Sequence, residues 1–343
     1  MYKLIISNPL VSIVIPLFNG EKYIRFTLES ILKQSYTFWE CLIVDDGSTD
    51  HSVSIAEEYV RKDGRFKIII RNRLPKGGGS CRNLGVSNAK GKYLIFLDAD
   101  DFLEPFCLKQ RVREMESNPD LGFGLFKMLS YYGSKENAID DCLRVFPGYS
   151  ANYISRFIKA DSPWVISCPI WRTDVINDKP FDINLARLQD TDFHLNILLN
   201  YPDILFGIFD SLPADVYYRK EQESRNRYKD HKFLDRIIES RIYFIKKYIN
   251  LCLATESKAQ FLPYLKANLI DLVARHTLAH NTSHDEKLQQ LISSSYQDGV
   301  LNGTEYYLLK ISYFTWKNTF TSKLPLLKGV FRTLLYKRVK LNA

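Results

Sequence analysis

Three aspartates stand within four residues of this sequence, at Asp98, Asp100 and Asp101. Carboxylates this close repel one another, and a divalent cation with its phosphate ligands neutralises that repulsion. The spacing therefore favours a cation that bridges the oxygens of a diphosphate. A polar loop that caps a helix is the alternative, but the group directly follows the apolar run at residues 93–97, where a strand is expected to end.

Other polar clusters occur earlier in the sequence, one of them at residues 16–21. Asp45 and Asp46 either form a turn that caps the next helix, or accept hydrogen bonds from a nucleotide base or a ribose. Arg82, which follows the glycines at 77–79, either pairs with a surface acid or binds diphosphate oxygens through two guanidinium nitrogens. Each cluster thus has a structural interpretation and a nucleotide-binding one.

Apolar runs of strand length alternate with runs of helical period over the first hundred residues. The predicted strands are 11–15, 41–44, 66–70 and 93–97, and the predicted helices are 23–34, a segment that ends near 62, and 80–88. Such βαβ units form a parallel sheet, whose ligands bind beyond the carboxyl ends of the strands. Because the polar clusters follow those ends, they should meet on one rim.

The later sequence predicts two kinds of structure. Up to residue 224, helices are expected at 105–117 and 190–199 and strands near 121–129 and 165–171. Beyond residue 224 the pattern is mainly helical, with helices expected at 233–253, 259–278 and 285–294. We therefore predict an α/β domain over residues 1–224 and a helical extension over residues 225–343.

The net charge of +8 lies at the carboxyl-terminal end of the chain. Residues 306–343 contain eight lysines or arginines and no acid, so the remainder is neutral. This distribution disfavours a nucleic-acid binder. Basic residues mixed with aromatic ones suit an anionic membrane surface, and a solvated helix that packs on the rest of the protein is the alternative.

Cysteines and apolar segments indicate the compartment. The six cysteines include no CxxC pair, which favours reduced thiols in the cytoplasm. No apolar stretch reaches the length that spans a bilayer, and residues 4–6 are expected to begin a buried strand instead of a signal peptide. We predict a cytoplasmic protein, with peripheral attachment to the inner face of the membrane as the role of the basic tail.

Residues 11–105 resemble the inverting family 2 glycosyltransferases of the GT-A fold, bacterial enzymes that build surface polysaccharides. Four segments in this order carry the resemblance: 11–19, 44–50, 82–85 and 96–101. It extends more loosely to about residue 220. The resemblance implies a Rossmann-like α/β fold, with a mostly parallel sheet flanked by helices.

The same resemblance implies roles for the polar clusters. Pro16 and Phe18 would line the base and ribose site, and Glu21 would help to bind the ribose. Asp46 would hold the edge of a uracil-type base, and Arg82 would contact the nucleotide. The Asp-x-Asp pair would bind Mn²⁺ or Mg²⁺, with Asp100 as the direct ligand and Asp98, also counted in the metal site, nearer the ribose.

The catalytic base of the family is usually the aspartate of a Glu-Asp pair that opens a helix. In this sequence Gln189 stands in the glutamate position and Asp190 takes the base position, with Asp192 as the second choice. An aspartate that stabilises a helix dipole is the structural alternative. His194 is expected to pack or to cap. Trp164 and Trp171, which lie upstream, either belong to the core or stack on an acceptor sugar.

The implied reaction is one in-line displacement at the anomeric carbon, with inversion. The donor would be a nucleotide diphosphate-sugar, UDP-linked, and the acceptor a hydroxyl of a saccharide or a lipid-linked saccharide. Two alternatives stay open. A nucleotide-sugar sensor or scaffold is one, since Gln189 departs from the family pattern. A sugar-phosphate nucleotidyltransferase is the other, although residues 17–20 lack its basic glycine-rich loop.

Overall fold

The computed structural model describes residues 8–133, 135–142, 152–177, 179–220, 231–276 and 285–317. The chain divides into two compact units. The first comprises Met1–Ala151, Ser162–Asn184 and Gln189–Ser224, and the second comprises Asn152–Asp161, Leu185–Leu188 and Arg225–Ala343, as far as these ranges are described. The domain boundary predicted at residue 224 and the strand predicted to begin at residues 4–6 lie outside the described residues, and both stay predictions.

The strands within the described residues all belong to the first unit. They are β1 (Val11–Leu17), β2 (Trp39–Asp45), β3 (Phe66–Ile70), β4 (Tyr93–Phe96), β5 (Phe102–Leu103), β6 (Phe123–Phe126), β7 (Met128–Tyr131), β8 (Pro169–Arg172), β9 (Phe206–Phe209) and β10 (Val216–Arg219). Seven of them form one sheet in the order β3-β2-β1-β4-β8-β6-β9. Its pairings are parallel except those of β8 with β4 and β6.

Helices occur in both units. They are α1 (Ile24–Leu32), α2 (Ser52–Lys62), α3 (Gly78–Asn88), α4 (Cys107–Ser117), α5 (Tyr153–Ile158), α6 (Gln189–Asn200), α7 (His231–Ala254), α8 (Leu262–His276), α9 (Asp285–Gln297) and α10 (Gly303–Lys317), with 3₁₀ turns at Lys135–Asn137, Thr173–Val175 and Glu256–Phe261. The prediction of a mostly parallel α/β sheet flanked by helices, with helices following it, is confirmed.

The core of the first unit forms around β1 and β2, whose apolar residues are buried on both faces, as expected for central parallel strands. Helix α3 packs closely on β1 because residue 85 is a glycine. A Cβ atom there would lie 2.3 Å from Val14 Cγ1, inside van der Waals contact. Close packing of α3 in turn brings Arg82 to the carboxyl-terminal side of the sheet.

A second, three-stranded sheet has the order β5-β10-β7. Arg111 on α4 and Asp215, which precedes β10, form an ion pair in which both side chains are fully buried. Arg111 donates to Asp215 at 2.7 and 2.8 Å and to the carbonyl of Ser167 at 3.0 Å. The pair therefore fixes the start of β10 against α4.

The second unit is helical, with a core that includes Ile245, Leu265 and Leu269. Helix α10 begins at a capping box, in which Asn302 Oδ1 accepts from the Glu305 N–H and Glu305 Oε2 accepts from the Asn302 N–H, each at 2.9 Å. Leu309 of α10 is fully buried. The first part of the basic tail is thus a packed helix, whereas residues 318–343 lie outside the described residues.

Two further sequence expectations concern cysteines and membrane spans. All six cysteines are buried and none forms a disulfide. Within the described ranges, every helix is too short or too polar to cross a bilayer.

Candidate functional site

The candidate site lies where β1 is flanked by β2 on one side and β4 on the other, at the carboxyl ends of these parallel strands. The loops that follow β1 and β2 are joined by hydrogen bonds. The Asn19 N–H donates to Ser48 Oγ at 2.9 Å, and Asn19 Oδ1 accepts from the Thr49 N–H at 2.8 Å. Asn19 has a φ of 47°, a conformation that asparagine adopts readily. The first two polar clusters are therefore held together as one rim.

The residues predicted for the base and ribose site occupy this rim. Phe18 is 55% exposed, so its ring is accessible. Pro16 lies near the end of β1 and is half-buried. Glu21 Oε2 accepts from the His51 N–H at 2.9 Å, which satisfies a free donor at the start of α2. Glu21 thus has a structural role in addition to the one predicted for it.

The neighbouring residues Asp45 and Asp46 have different functions in the structure. Asp45 accepts from the Gly47 N–H at 2.8 Å and from Ser48, which makes it the residue that forms the turn. Asp46 is buried, pairs with the Arg71 guanidinium and accepts from the Gly77 N–H at 2.6 Å. Asp45 therefore forms the turn, whereas Asp46 lies between Arg71 and the Gly77 N–H on the same rim.

The acidic loop, residues Asp98 to Asp101, follows β4. Asp98 Oδ1 accepts from Arg82 Nη2 at 2.6 Å. Asp98 and Asp100 are half-buried, whereas Asp101 is almost fully buried. Burial, followed by the charges of Asp98 and Asp100, raises the pKa of Asp101 well above its usual value. The loop thus concentrates negative charge with two of its carboxylates reachable from solvent.

The two accessible carboxylates, Asp98 and Asp100, suit Mn²⁺ or Mg²⁺ that takes its other ligands from a bound molecule. The part of the chain that the structure describes contains no cluster of three or more His, Cys, Asp or Glu residues that could hold a metal alone. Mg²⁺ in nucleotide sites commonly uses only one or two carboxylates, with substrate phosphates and water as the other ligands. The chemistry of Asp98 and Asp100 therefore suits a cation whose remaining ligands come from a diphosphate.

Arg82 connects the acidic loop with the start of α6. Its Nη1 donates to Gln189 Oε1 at 3.3 Å and lies 3.8 Å from Asp190 Oδ1, while Nη2 binds Asp98. Burial raises the pKa of Asp190 to about 6, with Arg82 acting against this rise and Asp98 adding to it. Asp190 is nevertheless 38% exposed at its side chain. It is thus an accessible carboxylate whose pKa lies close to neutrality.

Gln189, the departure from the family pattern, packs against the glycine loop. A Cβ atom on Gly79 would lie 3.4 Å from Gln189 Cδ, and one on Gly78 would lie 3.3 Å from Gln189 Oε1. Gly77 has a φ of 137°, which only glycine adopts without strain. The glycines therefore allow the loop before α3 to approach α6 closely and place Gln189 beside Arg82.

The other predicted residues of this region are buried. Asp192 is 1% exposed. His194 is fully buried, packs against the ring of Trp171 at 5.8 Å, and has its pKa lowered to about 3 by burial and by Arg82. Trp164 and Trp171 are also buried, so they belong to the core and do not form an accessible stacking surface. The packing interpretation of these rings is the one that the structure shows.

Sequence reasoning did not single out Arg71 or Arg219. Arg71 binds Asp46 from the end of β3, and Arg219 reaches the acidic loop from β10. Neither belongs to a local motif, and the only available sequence signal was a basic residue at the end of a strand. The contact of Arg71 arises from the pairing of β2 with β3, and that of Arg219 from the position of β10, which the sequence pattern did not specify.

The chain matches the description "Glycosyl transferase family 2" over residues 12–161. It is 41% identical to the putative glycosyltransferase EpsH of Bacillus subtilis over 115 residues, which cover 34% of this chain and 33% of EpsH. It is 30% identical to the uncharacterized glycosyltransferase MJ1057 of Methanocaldococcus jannaschii over 206 residues, or 60% of this chain and 69% of that protein. The match thus spans about a third of EpsH and over two thirds of MJ1057.

A solved structure shows the same fold over most of the chain. Residues 1–349 of Staphylococcus aureus TarS in complex with UDP-GlcNAc match with a TM-score of 0.64 and 21% identity, covering 91% of each chain. This likeness confirms the predicted GT-A fold. The match to the family description and the match to MJ1057 lead to one conclusion: the chain belongs to glycosyl transferase family 2.

Proposed function

We propose that this protein transfers a sugar from a UDP-linked donor to a hydroxyl of a saccharide or lipid-linked saccharide, with inversion at the anomeric carbon. One observation carries the proposal. A single guanidinium, that of Arg82, contacts Asp98 of the acidic loop at 2.6 Å and lies 3.8 Å from Asp190 of α6. The acidic loop, which is proposed to face the diphosphate, and the accessible carboxylate of Asp190 are therefore both neighbours of the Arg82 guanidinium.

The donor half of the proposal rests on the rim residues. Phe18 offers an exposed ring beside Pro16, whereas Asp46, proposed for the edge of the base, is buried and already binds Arg71 and the Gly77 N–H. The donor in the TarS complex is UDP-GlcNAc, which supports a UDP-sugar for this chain. Arg82 supplies positive charge for diphosphate oxygens, a task that suits the planar guanidinium group.

The residues that would hold Mn²⁺ or Mg²⁺ are Asp100 and Asp98. When bound, such a cation stabilises the negative charge that develops on a departing diphosphate. Arg82 and the acidic loop, which are joined by the hydrogen bond to Asp98, would both contact that diphosphate. The resemblance of the motif supports Asp100 as the direct ligand, with Asp98 accepting a hydrogen bond from Arg82.

The acceptor half of the proposal rests on Asp190. A general base works best when its pKa lies near the working pH, and a carboxyl with a pKa of about 6 is mostly ionised at pH 7 yet still a better base than an ordinary aspartate. Asp190 would accept the proton of the attacking hydroxyl. Asp192 is poorly placed for the same task because it is buried.

We place the reaction in surface-polysaccharide assembly. The resemblance of the motifs supports this placement, and the basic residues after residue 306 favour an acceptor at a membrane. The protein would then work in the cytoplasm, attached peripherally to the inner face of the membrane.

The test is a donor panel. The full chain is incubated with Mn²⁺ and each of several UDP-, GDP- and dTDP-sugars, and release of the nucleoside diphosphate is measured with and without saccharide acceptors. We expect release from a UDP-sugar that accelerates with an acceptor and stops on chelation of the metal. Binding of a UDP-sugar with no turnover under any condition would instead identify a sensor or scaffold and refute the proposal.

A further inference from the structure

Arg219 reaches the acidic loop with both its backbone and its side chain. Its N–H donates to Asp101 Oδ1 at 3.2 Å, and its Nε donates to the carbonyl oxygen of Asp100 at 3.4 Å. Val216 and Tyr217 of β10 pair with Leu103 and Phe102 of β5 in antiparallel register. Continuing that register by two residues places Arg219 opposite Asp100, and the two contacts join the end of β10 to the loop through side-chain atoms.

Two tyrosines hold the guanidinium of Arg219 in place. Its central carbon lies 4.7 Å from the ring centroid of Tyr23, in the loop after β1, and 5.0 Å from that of Tyr131 on β7. A guanidinium attracted to aromatic rings loses less freedom when it forms hydrogen bonds, because it is already oriented. Arg219 is therefore a rigid support for the loop.

The loop needs such a support because its charges repel. Asp98 has Arg82 as its partner, whereas Asp101 Oδ2 is buried without a hydrogen-bond partner among the residues that the structure describes. On this side of the loop, Arg219 is the cation that contacts it. Its charge attracts the carboxyl groups of the loop, while its hydrogen bonds hold the Asp101 side chain and the Asp100 carbonyl.

We propose that Arg219 is a positioning residue that holds Asp100 in the geometry required for the divalent cation. The proposal rests on the function proposed above, in which Asp100 binds the cation. Residues that hydrogen-bond to metal ligands and orient them typically contribute 10- to 100-fold to metal affinity. Loss of Arg219 should therefore change the concentration of metal that the protein requires before it changes the affinity for the nucleotide itself.

The test compares Arg219→Ala and Arg219→Lys with the wild-type chain in calorimetric titrations of UDP at increasing Mn²⁺. In Arg219→Ala we expect the Mn²⁺ concentration for half-maximal UDP binding to rise about 10- to 100-fold, with binding regained at saturating Mn²⁺. In Arg219→Lys, the Mn²⁺ concentration for half-maximal UDP binding should lie between those of the wild type and Arg219→Ala. Arg65→Ala is the matched control, since Arg65 also lies over an aromatic ring, that of Trp39, at 3.8 Å.

A second measurement separates this inference from the proposed function. Amide hydrogen exchange of residues 98–103 is followed without any ligand, and should be faster in Arg219→Ala and in Tyr131→Leu than in the wild type. If the wild type binds no UDP at any Mn²⁺ concentration, the proposed function fails, but faster exchange still supports the positioning role. Exchange that is the same in the variants and the wild type would overturn the positioning role. An Arg219→Ala variant with the same Mn²⁺ requirement as a wild type that binds UDP would also overturn it.

Discussion

Asp98 Oδ1 lies 2.6 Å from Arg82 Nη2, so a carboxylate of the acidic loop is already neutralised before any ligand arrives. A cation at this loop must therefore share Asp98 with Arg82 or depend mainly on Asp100. Arg82 is largely buried, which strengthens its attraction for the carboxylate. The pair engages one oxygen of Asp98, and Asp100 is the residue proposed above as the direct metal ligand, which leads to the first prediction.

Asp100→Ala should abolish sugar transfer and Mn²⁺-dependent binding of UDP, because it removes the carboxylate proposed as the direct metal ligand. Asp100 is half-buried in a loop, so the midpoint of thermal unfolding should change little. Calorimetry of UDP with Mn²⁺ measures the first effect. Asp174→Ala, at an aspartate whose side chain is 61% exposed, is the control, and full UDP affinity in Asp100→Ala would refute the assignment.

Asp190→Asn should leave UDP-sugar binding near normal and lower turnover by roughly a hundredfold or more, the usual contribution of a general base. Single-turnover kinetics with a saturating acceptor measure the effect. Asp192→Asn is the comparison, with thermal unfolding checked because Asp192 is buried. A folded but inactive Asp192→Asn beside an active Asp190→Asn would show that the base has been misassigned.

The pH dependence of turnover should follow the ionisation of Asp190. Burial raises its pKa to about 6, so the carboxylate is protonated and inactive below this pH, and the rate should rise through pH 6 to a plateau. Arg82 lowers this pKa, so Arg82→Gln should move the rise to higher pH. A profile that is flat between pH 5 and 8 would contradict the assignment.

Arg111→Ala should destabilise the protein by about 3–5 kcal/mol, because it leaves the Asp215 carboxylate buried without its partner. Arg113→Ala, two residues away on α4, removes an exposed pair with Glu114 and should cost less than about 1 kcal/mol. Urea unfolding of both variants measures the difference. Equal stability of the two would mean that the buried pair does not hold α4 to β10.

The basic tail should draw the protein to anionic lipid by electrostatic attraction. Each Lys or Arg near such a surface contributes about 1 kcal/mol and is screened by salt, so co-sedimentation with anionic liposomes should fall between low and moderate ionic strength. Because α10 is packed through Leu309, the informative truncation removes residues 318–343 and keeps α10. A truncated chain that still sediments, or sedimentation that ignores salt, would contradict this prediction.

The strands and helices of the first hundred residues were predictable because each has a strong local pattern. The predicted strand at 66–70 matches β3, and the predicted helix at 80–88 differs from α3 only at its first two residues. By contrast β5, β9 and β10 have two to four residues each, too few for an alternating pattern to emerge. Their positions depend on pairing partners that lie far away in the sequence.

Some features of the candidate site were likewise predictable from the sequence, and others were not. The positions of Asp98, Asp100 and Arg82 on one rim followed from the strand ends alone. The difference between Asp45 and Asp46 did not, because two identical neighbours are separated only by the direction in which the backbone points each side chain. The burial of Trp164, Trp171 and His194 likewise depended on packing that no local motif encodes.

The ladder between β5 and β10 also determines when the site can form during synthesis. Arg219 is 118 positions beyond Asp101, and Asp215, which anchors β10, is 104 positions beyond its partner Arg111. A nascent chain that has emerged only through Asp101 holds most of the family motifs but lacks the strand that supports its acidic loop. The completed site thus appears only after residue 219 has left the ribosome, so the unfinished chain should lack the donor site proposed above.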